Sequence, residues 1–223
     1  MQPLTPVQVR VLGCLVEKER TTPDNYPLTM NGLLTACNQT TNRSPVVTFT
    51  EAVVSNAIVN LRADNLVRID HSRSNRADKY RHVLDQVLGV GNAEVSLLAV
   101  LMLRGPQTVA ELRARTERLH RFAGPDEVDE ALARLATRSP APLAVRLAPL
   151  PGHREARWAH LLAGDVGPEE LALASASPPG GGDGSRGQSR TERIEALEDA
   201  VAVLQAELAE LRAEVRGSRE RPS

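Results

Sequence analysis

A pattern in residues 66–84, LVRIDHSRSNRADKYRHVL, decides the fold, because it returns in residues 143–162, LAVRLAPLPGHREARWAHLL. In each stretch, two short segments with alternating apolar residues flank a polar loop, which is typical of a β-hairpin. Val67–Arg68–Ile69 returns 78 positions later as Val145–Arg146–Leu147. The predicted strands are residues 66–70, 79–84, 143–148 and 157–162. The chain therefore contains two copies of one unit.

Helical patterns precede each hairpin. Before the first hairpin, apolar spacing predicts helices over residues 7–16 and 28–37, and a third from Thr48, where Glu51 completes a capping box. Before the second hairpin, the predicted helices are residues 94–103, one from Thr108 with Glu111 as its box partner, and one from Asp126. Three helices and a two-stranded hairpin form the winged-helix order, a variant of helix-turn-helix. We therefore predict a mainly α fold with small β-hairpin wings, as two tandem winged-helix domains over residues 1–88 and 92–163.

The remaining residues divide into a linker and a heptad repeat. Residues 164–190 are rich in Gly, Pro and Ser and poor in aliphatic residues, which predicts a flexible linker. Residues 191–216 have apolar residues spaced alternately three and four apart, which predicts a parallel two-stranded coiled coil. The alternative is a single amphipathic helix that folds back on the domains. The predicted dimerisation residues are Ile194, Leu197, Val201, Leu204, Leu208, Leu211 and Val215.

Four stretches of the chain resemble the bacterial YceH family. They are residues 21–28, 36–45, 103–108 and 151–157, and the resemblance covers roughly residues 2–163. It implies two tandem winged-helix domains and a dimer, and it brings no established activity, cofactor or catalytic residue. This chain has Thr40–Thr41 where the family usually has a Lys–Ser pair, which removes one positive charge from the loop.

Composition restricts the function classes. The chain has 223 residues and a net charge of −1, so it does not coat nucleic acid by overall charge. With two Phe, two Tyr and one Trp, it has no aromatic platform for stacking single-stranded bases. The two cysteines and five histidines show no metal-ligand spacing, and no Gly-rich phosphate loop occurs, so we predict no catalytic site, metal or cofactor. Without a signal segment or a long apolar run, a cytoplasmic protein with no membrane contact is expected.

The polar run between the second and third helices is a candidate contact to nucleic acid. Asn38, Gln39, Asn42 and Arg43 offer donors for phosphate oxygens. The alternative is a solvated loop whose asparagines close Asx-turns.

A basic series in the other domain is interpreted as a solvated helix face, with an anion-binding stripe as the alternative. It consists of Arg113, Arg115, Arg118 and Arg121.

The third helix of the first domain is the expected reading helix. Asn56 and Asn60 lie one turn apart, opposite the apolar stripe, and an asparagine amide can pair with the edge of adenine in the major groove. A helix packed against a protein would have the same pattern.

The wing, which is the first hairpin, has Arg73 and Arg76 at its tip and Lys79 on its return strand. These residues are candidates for phosphate or minor-groove contact. The alternative is an exposed hairpin kept soluble by its charges.

These residues predict a non-enzymatic protein that binds double-stranded DNA and regulates transcription. The alternative is an interaction scaffold whose winged-helix domains bind a protein partner. The arginines of the loop and the wing favour DNA. The near-zero net charge favours the scaffold, as does a third helix with Arg62 as its one basic residue, expected near the buried stripe. A homodimer is expected in either case.

Overall fold

The computed structural model describes residues 2–71, 77–149 and 155–167. Over these ranges the chain is mainly α-helical with a few small antiparallel strands, as predicted. Arg73, Arg76, the heptad segment 191–216 and most of the predicted linker lie outside the described residues.

The first half begins with a capped helix and ends in a hairpin. Thr5 accepts a hydrogen bond from the Gln8 backbone, and the Gln8 side chain accepts one from the Thr5 backbone, which starts the first helix with a capping box. The elements are α1 (Pro6–Thr21), a 3-10 turn (Pro23–Asn25), β1 (Leu28–Thr29), α2 (Met30–Cys37), α3 (Glu51–Ala63), β2 (Val67–Asp70) and β3 (Lys79–His82). The strand order is β1-β3-β2, all antiparallel, with Leu28 opposite Tyr80 and Val67 opposite His82.

The second half repeats this order after a short connecting helix. Thr108 and Glu111 form the predicted capping box at the start of its second helix. A single bridge between Gln107 and Trp158 stands where β1 lies in the first half. The elements are α4 (Leu84–Leu88), α5 (Asn92–Arg104), α6 (Val109–Thr116), α7 (Pro125–Ala136), β4 (Ala144–Arg146) and β5 (Trp158–His160).

Three local predictions differ from the structure. Helix α3 begins at Glu51 with Thr50 as N-cap, so the predicted start and capping box at Thr48 are wrong. Residues 28–29 form β1, because they pair with β3, and Thr29 then caps α2 by accepting from the Gly32 backbone. Helix α6 ends at Thr116, so Arg118 and Arg121 lie beyond it. The expected helix face with all four arginines is therefore not formed.

The two halves share one core because α1 packs directly on α5. Both helices are buried all round over their middle residues, 8–16 in α1 and 95–103 in α5. A Cβ added at Gly13 would come within 2.9 Å of the Leu103 side chain, so a larger residue there would require Leu103 or the helices to shift. Backbone hydrogen bonds also join the halves: Leu4 N donates to Leu162 O at 2.9 Å, and Ser44 N to Leu103 O at 2.8 Å. The relative position of the two halves is therefore set by packing.

Candidate functional site

Asn38 holds the loop between α2 and α3 closed. Its side-chain amide donates to the backbone oxygen of Phe49 at 2.9 Å, and its side-chain oxygen accepts from the Phe49 backbone N–H at 2.7 Å. Both ends of the amide are thus used within the fold. This arrangement supports the structural alternative for Asn38 over a phosphate contact.

Arg43 is an internal ion-pair partner. Its guanidinium forms a bidentate pair with Glu17, at 3.0 and 2.6 Å, and Nε donates to the backbone oxygen of Ala36 at 3.1 Å. Burial alone would lower the pKa of Arg43, but the hydrogen bonds that it donates to Glu17 raise the pKa overall. Since the Arg43 side chain is 0% exposed, it cannot reach a phosphate without unfolding the loop. The expectation that Arg43 faces a ligand is corrected accordingly.

Gln39 and Asn42 line a cavity between the two halves. Lys18 donates to the side-chain oxygen of Gln39 at 3.3 Å, and the Arg104 guanidinium donates to the side-chain oxygen of Asn42. The cavity has a volume of about 320 Å³ and includes Arg115 from the second half. These two loop residues are therefore directed toward α5 and α6, on a different surface from α3.

The outward face of α3 carries Asn56 and Asn60, as predicted. Both are exposed and lie one helical turn apart. Val53 and Val59 are exposed beside them, at 40% and 57% of their full accessible surface. The rest of this face consists of small alanines, so it has amide and apolar groups and no charged side chain among these described residues.

Two arginines adjoin this face in a shallow groove between α3 and β2. The groove is lined by Val59, Arg62, Arg68 and His71, among others. Arg62, which was expected near the buried stripe, has an exposed side chain. Sequence reasoning missed Arg68, although its position between Val67 and Ile69 in an alternating strand is a signal that it faces outward. Lys79 is half-buried on the middle strand, opposite Asp70.

The corresponding helix of the second half is acidic, unlike the uncharged face of α3. Helix α7 carries Asp126, Asp129 and Glu130 on its exposed surface, and Glu127 in its first turn. Arg134 is its only basic residue, and it pairs with Glu94 at 2.8 Å. The third helices of the two halves therefore have the same place in the order of elements but differ in charge.

The cysteines and two of the histidines, which are residue types common in catalytic and metal sites, are buried in the core. Cys14 and Cys37 are buried free thiols, and the Cys14 Sγ donates to the backbone oxygen of Ala36 at 3.3 Å. His82 and His160 are buried at matching strand positions. Among the described residues, no three His, Cys, Asp or Glu side chains come together in a way that would bind a metal ion. In the same part of the chain, no helix combines the length and apolarity needed to cross a bilayer.

The fold and these surfaces define a small, mainly α-helical protein built from two similar halves with different exposed faces. The chain belongs to the DUF480 family, whose model is described as a protein of unknown function and matches residues 4–153. It is 49% identical to a UPF0502 protein of Geobacter sulfurreducens over 90% of each chain. It is 48% identical to a UPF0502 protein of Stenotrophomonas maltophilia over 94% of each. The predicted membership of an uncharacterised bacterial family is thus confirmed, and the name YceH stays a prediction from the resemblance.

Proposed function

We propose that this protein is a non-enzymatic transcriptional regulator whose halves are tandem winged-helix domains, and that its first half binds double-stranded DNA. One observation carries the proposal: Asn56 and Asn60 lie on the open face of α3, and Arg62 and Arg68 line the groove beside it. The two amides supply paired donors and acceptors for base edges, and the two guanidiniums supply charge for phosphates.

The shape of the α3 face suits a major groove. A helix with its side chains is about 10–12 Å across, and the major groove of B-DNA is about 12 Å wide. Ala52 and Ala63 keep the exposed face of α3 narrow. Val53 and Val59 fit apolar contact with thymine methyl groups. These features favour insertion of α3 into the groove with the arginines against the backbone.

The second half is assigned a different role, because α7 is acidic. Asp126, Asp129 and Glu130 would face the phosphates if α7 entered a groove, and like charges repel. We therefore propose that only the first half contacts DNA. The net charge of −1 for the whole chain agrees with a small, local interface with DNA.

A protein partner on the α3 face is the second candidate. The exposure of Val53 and Val59 beside uncharged amides favours it, since the cores of protein interfaces are depleted in charge. The two candidates differ in salt dependence. DNA binding releases counterions from phosphates and weakens steeply with salt, whereas an uncharged protein contact does not.

Replacing Arg62 and Arg68 together with alanine is expected to weaken binding to generic duplex DNA and to flatten its salt dependence. The slope of log K against log salt should fall by about two, one for each lost phosphate contact. Fluorescence anisotropy of a labelled duplex over a range of salt concentrations measures this slope. Arg146→Ala is the matched control, because Arg146 is exposed at the position of Arg68 in the second half. If the double variant binds with the wild-type slope, the groove beside α3 is not part of the interface.

We also propose a homodimer formed through the heptad segment. Leu204→Asp places a charge at the middle d position of the seam and is expected to convert a dimer to a monomer in sedimentation of the full chain. Ala206→Asp, at the outward f position, is the matched control and should leave the dimer intact. A dimeric Leu204→Asp variant would assign the interface to another part of the chain.

A further inference from the structure

The cavity between the two halves, which we call the junction cavity, has an unusual concentration of positive charge. It lies between the end of α1, the loop after α2, and helices α5 and α6. Four cationic side chains line it: Lys18, Arg104, Arg115 and Arg118. They come from three separate segments of the chain, so the cavity exists only because α1 packs on α5.

The acidic groups near the junction cavity are already neutralised. Glu17 is the one carboxylate in the lining; it is bound on both oxygens by Arg43, and Lys18 lies 3.9 Å from one of them. Glu111 lies 3.4 Å from Arg115, but it also accepts from Arg157 at 2.8 Å. The four lining cations therefore exceed the charge available to balance them. Burial and the neighbouring Arg115 lower the pKa of Arg104, as expected for crowded cations.

The remaining walls offer hydrogen bonds and a limited apolar surface. Gln39, Asn42, Thr21 and Thr22 contribute polar groups, and the apolar part consists of Val100, Leu103 and Leu119. A volume of about 320 Å³ is near the lower end of ligand pockets, which suits a small molecule. Arginine forks match the geometry of phosphate oxygens, and several of them converge here.

We propose that the junction cavity binds a small phosphorylated molecule, with its phosphate groups against Lys18, Arg104 and Arg118. Its uncharged part would rest against Leu103 and Leu119. A concave site between two packed halves favours a small ligand over a nucleic-acid backbone, which needs an open surface. The site is separate from the α3 face, so it stands whether or not the protein binds DNA.

Inorganic pyrophosphate is the probe, titrated calorimetrically into the full chain at constant ionic strength. We expect saturable binding at one site per chain. Lys18→Gln with Arg118→Gln should weaken it about tenfold for each lost charged contact. Arg113→Gln is the matched control, because Arg113 is an exposed arginine of α6, one turn before the end of that helix, and does not line the cavity. Arg118→Gln alone keeps the test valid if Lys18→Gln lowers the melting temperature, since Arg118 is exposed.

Three outcomes would overturn the proposal. The first is no saturable binding of pyrophosphate by the wild type. The second is an equal loss in Arg113→Gln, which would indicate general attraction to a basic surface. In the third, the wild type does not bind pyrophosphate, and the Lys18→Gln, Arg118→Gln variant binds duplex DNA more weakly and with a flatter salt dependence than the wild type. That result would make the cavity part of a nucleic-acid interface.

Discussion

Replacing Arg43 with alanine is expected to lower the free energy of unfolding by about 3–5 kcal/mol, the usual result of leaving one partner of a buried ion pair unmatched. The Arg43 side chain is 0% exposed, and Glu17, which it holds by two hydrogen bonds, is 13% exposed. The variant also leaves the backbone oxygen of Ala36 without its guanidinium donor. Urea denaturation followed by circular dichroism measures the loss.

Two controls separate this structural role from a phosphate contact. Arg62→Ala removes an exposed arginine from the same half and should change stability by no more than about 0.5 kcal/mol. Arg43→Met combined with Glu17→Gln removes both charges and should recover part of the loss. A fully stable Arg43→Ala variant with a reduced salt slope for DNA would instead place Arg43 in the interface.

Acidification is expected to remove about 3 kcal/mol from the free energy of unfolding through His160 alone. Burial lowers the pKa of His160 from 6.5 to about 4, and its Nδ1 has no hydrogen-bond partner among the described residues. The unfolded chain therefore takes up a proton below about pH 6.5 that the folded chain accepts only near pH 4. The contribution is complete above pH 6.5 and is lost as the pH falls through this window.

Urea denaturation at half-unit steps between pH 7 and 4 measures this contribution. The wild type should lose stability by about 1.4 kcal/mol per pH unit from His160 within the window. His160→Leu should remove that part of the slope, leaving the carboxylates that titrate at lower pH. The ring signal of His160 in an NMR titration should still be that of neutral imidazole at pH 5. Equal slopes in both proteins, or a protonated ring at pH 5, would contradict the prediction.

Sequence reasoning was most successful for features set by nearby residues. The capping box of Thr108 and Glu111 and the outward position of Asn56 and Asn60 follow from spacings of three and four residues. It failed at Thr48, where the helix begins three residues later at Glu51. It also failed at residues 28–29, where pairing with β3, about 50 positions further along the chain, outweighs the helical pattern. The candidate loop residues were interpreted from their neighbours in sequence alone, so the position of Gln39 and Asn42 in the junction cavity could not be predicted.

The sequence by itself therefore determined a mainly α chain with a repeated order of elements and an uncharged face on α3. Caps, turns and apolar periodicity depend on residues a few positions apart, so they can be recognised in the sequence alone. Only the tertiary structure decided that Arg43 is internal, because this loop residue has its partner Glu17 26 positions away on α1. The junction cavity also depends on the tertiary structure. Lys18 and Arg118 line the same cavity only when α1 packs on α5, where Gly13 leaves room for the Leu103 side chain. Burial and charge clustering depend on which distant segments come together, and no local pattern encodes that.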